Sequence, residues 1–205
     1  SVLLKLAARR QLDVAQMVTW NYLVAAVLTA GVLRPPLEAL QSSHAPWPAL
    51  LVLAVVLPSL FLVLGRTVAV AGIVRTDVAQ RLSLLLSLLA AFLFFGQTAT
   101  PLKLLGLGLG LVAMLGISLR PRGPAVAGEA GSWRWLLAVW VGFALVDVLL
   151  KQVALSGTPS MAALLACFSI AFVLMLGLQL WRHFSGRSRL SARNVGAGAL
   201  LGLLN

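Results

Sequence analysis

The chain has 205 residues, of which 60% are hydrophobic and only 10% are charged, whereas soluble domains carry about 25% charged residues. With a mean hydropathy of +1.00, this composition excludes a soluble enzyme, a disordered tail and a fibrous chain. The single cysteine, Cys167, excludes a disulfide scaffold and a cysteine-based zinc module. The net charge of +11 does not indicate nucleic-acid binding, because the basic residues form short clusters between apolar runs. We therefore expect a multi-span protein whose partner is the lipid bilayer.

Charge-free runs of 16 to 30 residues predict the membrane spans, because about 20 helical residues cross a bilayer core of about 30 Å. Helices are expected because lipid offers an open backbone no hydrogen-bond partner, and the runs lack barrel-like alternation. The predicted fold class is therefore all-α, a polytopic membrane helix bundle. The predicted spans are 14–33, 48–65, 78–96, 102–119, 133–155 and 161–181, with another beginning near 195.

Capping and terminal signals refine these spans. Asp77, followed three residues later by Gln80, predicts the N-cap of the span at 78–96. The apolar stub Ser1–Ala8 is interpreted as the end of an earlier span, and the segment from 195 to the last residue is half a span. The chain also has no initiator methionine. We therefore expect an internal piece of a longer protein, truncated at both ends.

A shift of 146 residues places the sequence over itself. Residues 1–31 lie over residues 147–177 without a gap, with 9 identities in 31 positions. Two of the three lysines, Lys5 and Lys151, coincide. Chance matches in a leucine-rich chain are the alternative, and duplication is the interpretation that we favour.

The distribution of basic residues gives a separate indication of topology. When the stub is counted as the first span, 13 of the 16 lysines and arginines fall in alternate loops. These loops are expected to face the cytoplasm. Because the repeat unit holds five spans, an odd number, the second copy must cross the membrane in the opposite sense. The sequence thus predicts an inverted five-helix repeat (1–122 and 133–205), with about 7–8 of an expected ten spans in this chain. Such repeats are typical of alternating-access transporters.

Several short motifs carry a resemblance to a known family. They are Asn21-Tyr22, the run Thr76–Leu84, Gly96-Gln97 and the run Leu104–Gly110. With these motifs, nearly the whole chain resembles the EamA-type transporters of the drug/metabolite transporter superfamily. The resemblance implies two five-span repeats and transport of small molecules, often export, through a central cavity. Gln97 stands where many members of that family carry an acidic residue.

Asp147 and Lys151 are the strongest candidates for the substrate pathway. They lie four residues apart near the centre of a predicted span, and therefore on one helix face. A charge at mid-membrane costs at least about 2.5 kcal/mol and usually faces a cavity or a partner. One interpretation is that both line the pathway, with Asp147 as proton carrier or cation contact; the other is a self-satisfied intrahelical ion pair. Lys5 is the repeat equivalent of Lys151, and two such lysines facing one cavity would favour an anionic or zwitterionic substrate.

Other polar and small residues are weaker candidates. Asn21 and Tyr22 sit mid-span, where an amide bonds across helices or touches substrate, and the structural role is favoured. Ser83 and Ser87 continue a polar stripe from Gln80, although serines in such helices usually bond their own backbone. The small residues Gly106 and Gly110 predict a packing surface, within the subunit or between subunits of a homodimer.

The sequence holds no carboxylate pair, His/Cys cluster or Ser/His/Asp set that supports covalent catalysis. We therefore expect neither an enzyme nor a metal or cofactor. The hypothesis that fits best is a secondary transporter, specifically an exporter, of small metabolites or drugs in the inner membrane. The alternatives are a flippase for lipid or lipid-linked substrates and a non-catalytic membrane assembly subunit.

Overall fold

The computed structural model describes residues 12–41, 45–95, 100–102, 104–106, 108–109, 112, 132–186 and 191–204. Within these ranges the chain is helical and contains no β-strand. We number the helices α1 (Val14–Leu28, continued by the π-helical turn Thr29–Leu33), α2 (Glu38–Gln41), α3 (Trp47–Ala71), α4 (Ile73–Phe95), α5 (Ser132–Leu155), α6 (Ser160–Phe184) and α7 (Ala192–Leu204). Five segments are long and apolar enough to cross a membrane: Val14–Leu33, Trp47–Ala71, Ile73–Leu93, Ser132–Leu155 and Ser160–Phe184.

Three predicted spans, 14–33, 133–155 and 161–181, agree with the observed helices to within three residues. Local chemistry explains the limits of α1. The carboxylate of Asp13 accepts a hydrogen bond from the backbone N–H of Ala15 at 2.9 Å, which caps the first turn. The π-helical turn ends at Leu33, just before Arg34, whose backbone is left-handed, and Pro35. Proline disfavours a helical conformation in the residue before it. The predicted span at 102–119 lies mostly outside the described residues.

The loop predicted between residues 65 and 78 is wrong. Helix α3 continues through Arg66 to Ala71, and α4 begins at Ile73. The charged residue Arg66 does not end the helix, and its guanidinium lies 5.8 Å from the centroid of the Trp135 ring, in a cation–π contact. The break falls instead at Gly72, whose φ of +83° is costly for residues with a Cβ.

The prediction that Asp77 caps a helix is wrong for the same reason. Asp77 lies in the second turn of α4, because the helix already begins at Ile73. Its carboxylate accepts a hydrogen bond from Arg81 Nε at 2.9 Å, an exposed pair within one helix. Such pairs contribute little to stability.

The contacts also give the relative directions of the helices. The indole Nε1 of Trp140 donates to the carbonyl oxygen of Leu82, and further along Ser87 contacts Asp147. Residue numbers rise together in these pairs, so α4 and α5 run parallel. By the same reasoning α1 and α6 are antiparallel, because Asp13 contacts Arg182 whereas Tyr22 contacts Phe168.

Basic residues gather at one end of the bundle, which we call the basic end. A Cβ added to Gly65 would lie 3.1 Å from Val14, which follows Asp13 and its partner Arg182. Four arginines are therefore neighbours at this end: Arg66, Arg134, Arg182 and Arg193. Arg34 follows the last turn of α1 and Lys151 lies in the last turns of α5, at the opposite end of the bundle.

Helix α3 sits at the centre, in contact with α1, α4, α5 and α6. Its residues Leu50 and Leu53 are fully buried in a core shared with α5 and α6. Close packing against α5 is visible at Gly142, where a Cβ would lie 2.6 Å from Leu60 Cδ1. Two helix groups meet at α3: α1, α6 and α7 on one side, and α4 and α5 on the other.

Candidate functional site

Asp147 is held between two parallel helices. Its Oδ2 accepts a hydrogen bond of 2.6 Å from the hydroxyl of Ser87 on α4. A hydrogen bond to a carboxylate is shorter and stronger than one between neutral groups. Two turns earlier on α5, the indole of Trp140 donates to the carbonyl oxygen of Leu82 at 2.9 Å. The two contacts fix the register of α4 against α5 and hold the acid in a part-buried position.

The two serines predicted on α4 differ in what they contact. Ser83 donates to the carbonyl oxygen of Gln80 at 2.6 Å, which is the self-bonding that the sequence favours. Ser87 Oγ lies 3.0 Å from the carbonyl oxygen of Ser83 as well as 2.6 Å from Asp147. Because a hydroxyl has one proton, the shorter contact to the charged oxygen is favoured. Ser87 is therefore the serine that bonds between helices.

Lys151 turns away from Asp147. Its Nζ lies 4.8 Å from the centroid of the Phe95 ring, within the range of a cation–π contact. Among the described residues the lysine forms no ion pair with Asp147. The intrahelical ion pair considered from the sequence is thus not formed in this part of the chain. Lys151 also lies four residues before the end of α5, so its ammonium group sits closer to the membrane surface than Asp147 does.

Asn21 and Tyr22 are buried on α1 in a different interface. The ring of Tyr22 packs edge-on against Phe61 at 6.1 Å and against Phe168 at 5.9 Å between centroids. Neither amide atom of Asn21 nor the Tyr22 hydroxyl has a hydrogen-bond partner among the residues that the structure describes. The interhelical hydrogen bond expected for Asn21 is therefore absent among the described residues. Buried polar groups usually have partners, so an orphaned amide and hydroxyl together need an explanation.

The candidate residues fall into two groups. Ser83, Ser87 and Asp147 lie together between α4 and α5, whereas Tyr22 lies where α1 meets α6 and Asn21 is buried beside it on α1. No hydrogen bond or ring contact joins these groups within the described ranges. Lys5 and Gly110 lie outside the described residues, so their roles stay predictions. For Gly106, no heavy atom lies within 4 Å of where a Cβ would stand.

A polar junction at the basic end was missed by sequence reasoning. Arg182 contacts the Asp13 carboxylate through both terminal nitrogens, with Nη2–Oδ2 at 3.1 Å and Nη1–Oδ1 at 3.3 Å. Beside it, Asn194 Nδ2 donates to Gln16 Oε1 at 3.0 Å. The partners are separated by 169 and 178 residues, so no local spacing rule connects them. The only signal was an isolated acid next to a predicted span.

A second missed feature is the glycine pair Gly198 and Gly202 on α7. A Cβ at Gly198 would lie 2.5 Å from the backbone oxygen of Met17, and one at Gly202 would lie 2.8 Å from that of Asn21. The four-residue spacing is the same small-residue pattern that the sequence indicated at 106 and 110. It was detectable at 198 and 202 by the same rule.

An apolar groove of about 340 Å³ opens between α4 and α5. Several of its side chains are largely exposed, including Leu89 and Leu93. Its lining holds no charged residue: Leu86, Leu89, Ala90, Leu93, Val141, Ala144, Leu145 and Val148. In the described part of the chain, no three His, Cys, Asp or Glu side chains are grouped to hold a metal ion.

Five long apolar helices with polar side chains buried between them define a helical membrane protein. No protein-family model and no solved structure matches the chain significantly. The chain is 35% identical over 212 residues to an "Uncharacterized protein" of Haemophilus influenzae, a match that covers 100% of this chain and 71% of that protein. The chain therefore belongs to the same family as this Haemophilus protein.

Proposed function

We propose that the protein is a secondary transporter of the EamA type, which exports small metabolites or drugs across the inner membrane by alternating access. The observation that carries the proposal is the hydrogen bond between Ser87 and Asp147 across two membrane helices. An acid within an apolar helix is costly and is retained mainly where it serves a pathway, a proton relay or a partner. Among the described residues, Asp147 has Ser87 as its partner rather than a cation, so its charge remains available to a proton or a cationic group.

Helix positions support the inverted repeat on which alternating access would depend. Helix α1 begins at residue 14 and α6 begins at residue 160, and this offset of 146 equals the shift that matches the sequence to itself. The two helices run antiparallel, as copies of opposite orientation must. Inverted repeats place their substrate site between the two copies, near mid-membrane.

Lys5 and Lys151 indicate the charge of the expected substrate. In the part of the chain that the structure describes, Lys151 lies over Phe95 and pairs with no acid, so its charge is available to an anionic group. With Lys5 at the equivalent position of the other copy, the substrate would be anionic or zwitterionic. Replacing both lysines with glutamine should lower transport of such a substrate. Unchanged transport in the double variant would remove this part of the proposal.

The apolar groove between α4 and α5 favours a flippase as the second candidate. A hydrocarbon chain fits an uncharged apolar groove, and the volume of this groove, about 340 Å³, lies at the lower end of the range of small-ligand sites. A flippase would move a fluorescent phospholipid between leaflets of proteoliposomes, whereas the metabolite transporter would not. An assembly subunit would do neither.

The test compares Asp147→Asn with Asp77→Asn in the full-length protein. Metabolites released by expressing cells are profiled first, and transport of the released compound is then measured in proteoliposomes. We expect Asp147→Asn to lower the rate by about tenfold or more, in line with removal of a functional charge. Asp77→Asn should leave the rate unchanged, because that acid is exposed and its partner among the described residues is Arg81 on the same helix. A wild-type rate for Asp147→Asn would contradict the role of Asp147.

A further inference from the structure

The polar junction at the basic end joins three helices that are distant in sequence. The Asp13–Arg182 ion pair links the start of α1 to the end of α6. The Gln16–Asn194 hydrogen bond links α1 to the start of α7, and the backbone N–H of Ser191 also donates to Gln16 Oε1 at 3.3 Å. In the proposed repeat, α1 belongs to the first copy and α6 and α7 to the second. The contacts therefore cross the boundary between the copies.

These contacts are partly shielded from solvent. The side chains of Arg182 and Asp13 are only 27% and 23% exposed, compared with 62% and 45% for the Arg81–Asp77 pair. Gln16 and Asn194 are buried. Removing one partner of a part-buried ion pair costs more than removing one partner of an exposed pair, because the remaining charge is less well solvated. The junction can therefore hold helix ends together.

A buried polar group lies just inside the junction. Gln179 is one turn before Arg182 on α6, on the same helix face. It is 2% exposed, and neither atom of its amide has a hydrogen-bond partner within the described ranges. An amide without a partner in a closed interface costs free energy. Met175, one turn earlier on the same face of α6, packs against α1. Separation of α1 from α6 would therefore give Gln179 access to water, so labelling at this position reports whether the basic end is closed.

The described positions that correspond to the junction at the opposite end cannot form the same contacts. Under the 146-residue shift, Pro159 is the equivalent of Asp13, Ala162 of Gln16 and Pro36 of Arg182. Proline and alanine side chains donate and accept no hydrogen bonds. Two inverted copies with equal contacts at both ends would close either end equally well. Here the contacts of the junction form at the basic end and are not repeated at the equivalent positions of the other end.

We propose that Asp13, Gln16, Arg182 and Asn194 form a one-ended latch that holds the basic end closed and biases the protein toward the state open at the other end. The inference rests on the proposed function, because the latch acts between the two copies of the repeat. Opening of the basic end requires the ion pair and the amide pair to break together. An equilibrium between two states shifts by the free energy of contacts present in only one of them.

The test measures access to position 179. Gln179→Cys is introduced with Cys167→Ala, which removes the native thiol, and the purified full-length protein is placed in lipid nanodiscs so that both faces meet a hydrophilic maleimide. Asp13→Asn removes the charge yet retains an N-cap residue for α1. Arg182→Gln leaves that cap untouched and serves as the second variant. Asp77→Asn is the matched control, since it breaks an ion pair at the same end within one helix.

We expect Asp13→Asn and Arg182→Gln each to increase the labelling rate at position 179 by about tenfold, as loss of a part-buried partner predicts, and Asp77→Asn to have no effect. If both latch variants label as slowly as the control, the latch is wrong. The experiment needs no substrate. If the latch variants label faster but the protein transports nothing, the latch is retained and the proposed transport function is wrong. If the latch variants label as slowly as the control but the protein is an active transporter, only the latch is wrong.

Discussion

The aromatic rings of Tyr22 and Phe168 lie 5.9 Å apart between their centroids, at an interplanar angle of 43°. The two residues are separated by 146 positions, the shift that places the first helices of the proposed copies over each other. Equivalent residues of two copies touch each other only near the axis that relates the copies. The pseudo-twofold axis of the proposed repeat would therefore pass between these rings, beside the orphaned groups of Asn21 and Tyr22.

Tyr22→Phe tests whether the Tyr22 hydroxyl has a functional or a structural role. The change keeps the ring contacts with Phe61 and Phe168 and removes a buried oxygen that has no partner. Because an unsatisfied buried group costs about 1–3 kcal/mol, we expect the free energy of unfolding to be unchanged or higher. Transport should fall if the hydroxyl meets the substrate. Thermal unfolding in detergent measures the first effect, and a clear loss of stability would mean that the hydroxyl has a partner.

Ser87→Ala should destabilise the protein through Asp147. The carboxylate would lose its 2.6 Å hydrogen bond while remaining part-buried, which costs about 1–3 kcal/mol. Ser59→Ala is the control, since the exposed Ser59 bonds only the carbonyl oxygen of Val55 on its own helix, and surface changes usually stay within about 0.5 kcal/mol. Equal melting temperatures for the two variants would show that the bond between Ser87 and Asp147 does not stabilise the fold.

Gly198→Ala should weaken the packing of α7 on α1. The added methyl group would lie 2.5 Å from the backbone oxygen of Met17, and relieving such an overlap typically costs about 1–3 kcal/mol. Gly196→Ala, two residues earlier, meets no atom within 4 Å and should stabilise the helix slightly, as alanine is the better helix former. The two variants are compared by thermal unfolding. If Gly198→Ala is as stable as Gly196→Ala, the close approach of α7 to α1 is not present.

The basic end should face the cytoplasm. Arg193 lies at that end and Arg34 at the opposite one, and arginines are retained on the cytoplasmic side of membrane helices. Single cysteines at these positions, in a Cys167→Ala background, are treated with an impermeant maleimide. In intact cells we expect labelling at position 34 only, and in permeabilised cells at both. Labelling of position 193 in intact cells would instead show that the basic end faces away from the cytoplasm.

Much of the architecture was predictable from local sequence. Residues 14–33 and 133–155 were recognised as helices because a run of apolar side chains reports burial in lipid without any knowledge of neighbours. The failure between residues 65 and 78 has a physical cause. A charged residue suggests the end of a span, but Arg66 remains in α3 by resting on Trp135, a residue of another helix.

The sequence by itself determined the class of the protein, the position of most spans and the gathering of arginines at one end, because these properties depend on the transfer of individual side chains and loops between water and lipid. The tertiary structure alone decided which polar groups meet. Asp147 bonds Ser87 and not the lysine four residues away, and Asp13 pairs with Arg182 at the far end of α6. Such pairings depend on the directions of helices that are remote in sequence and on the distances between them. No local sequence pattern specifies these directions and distances.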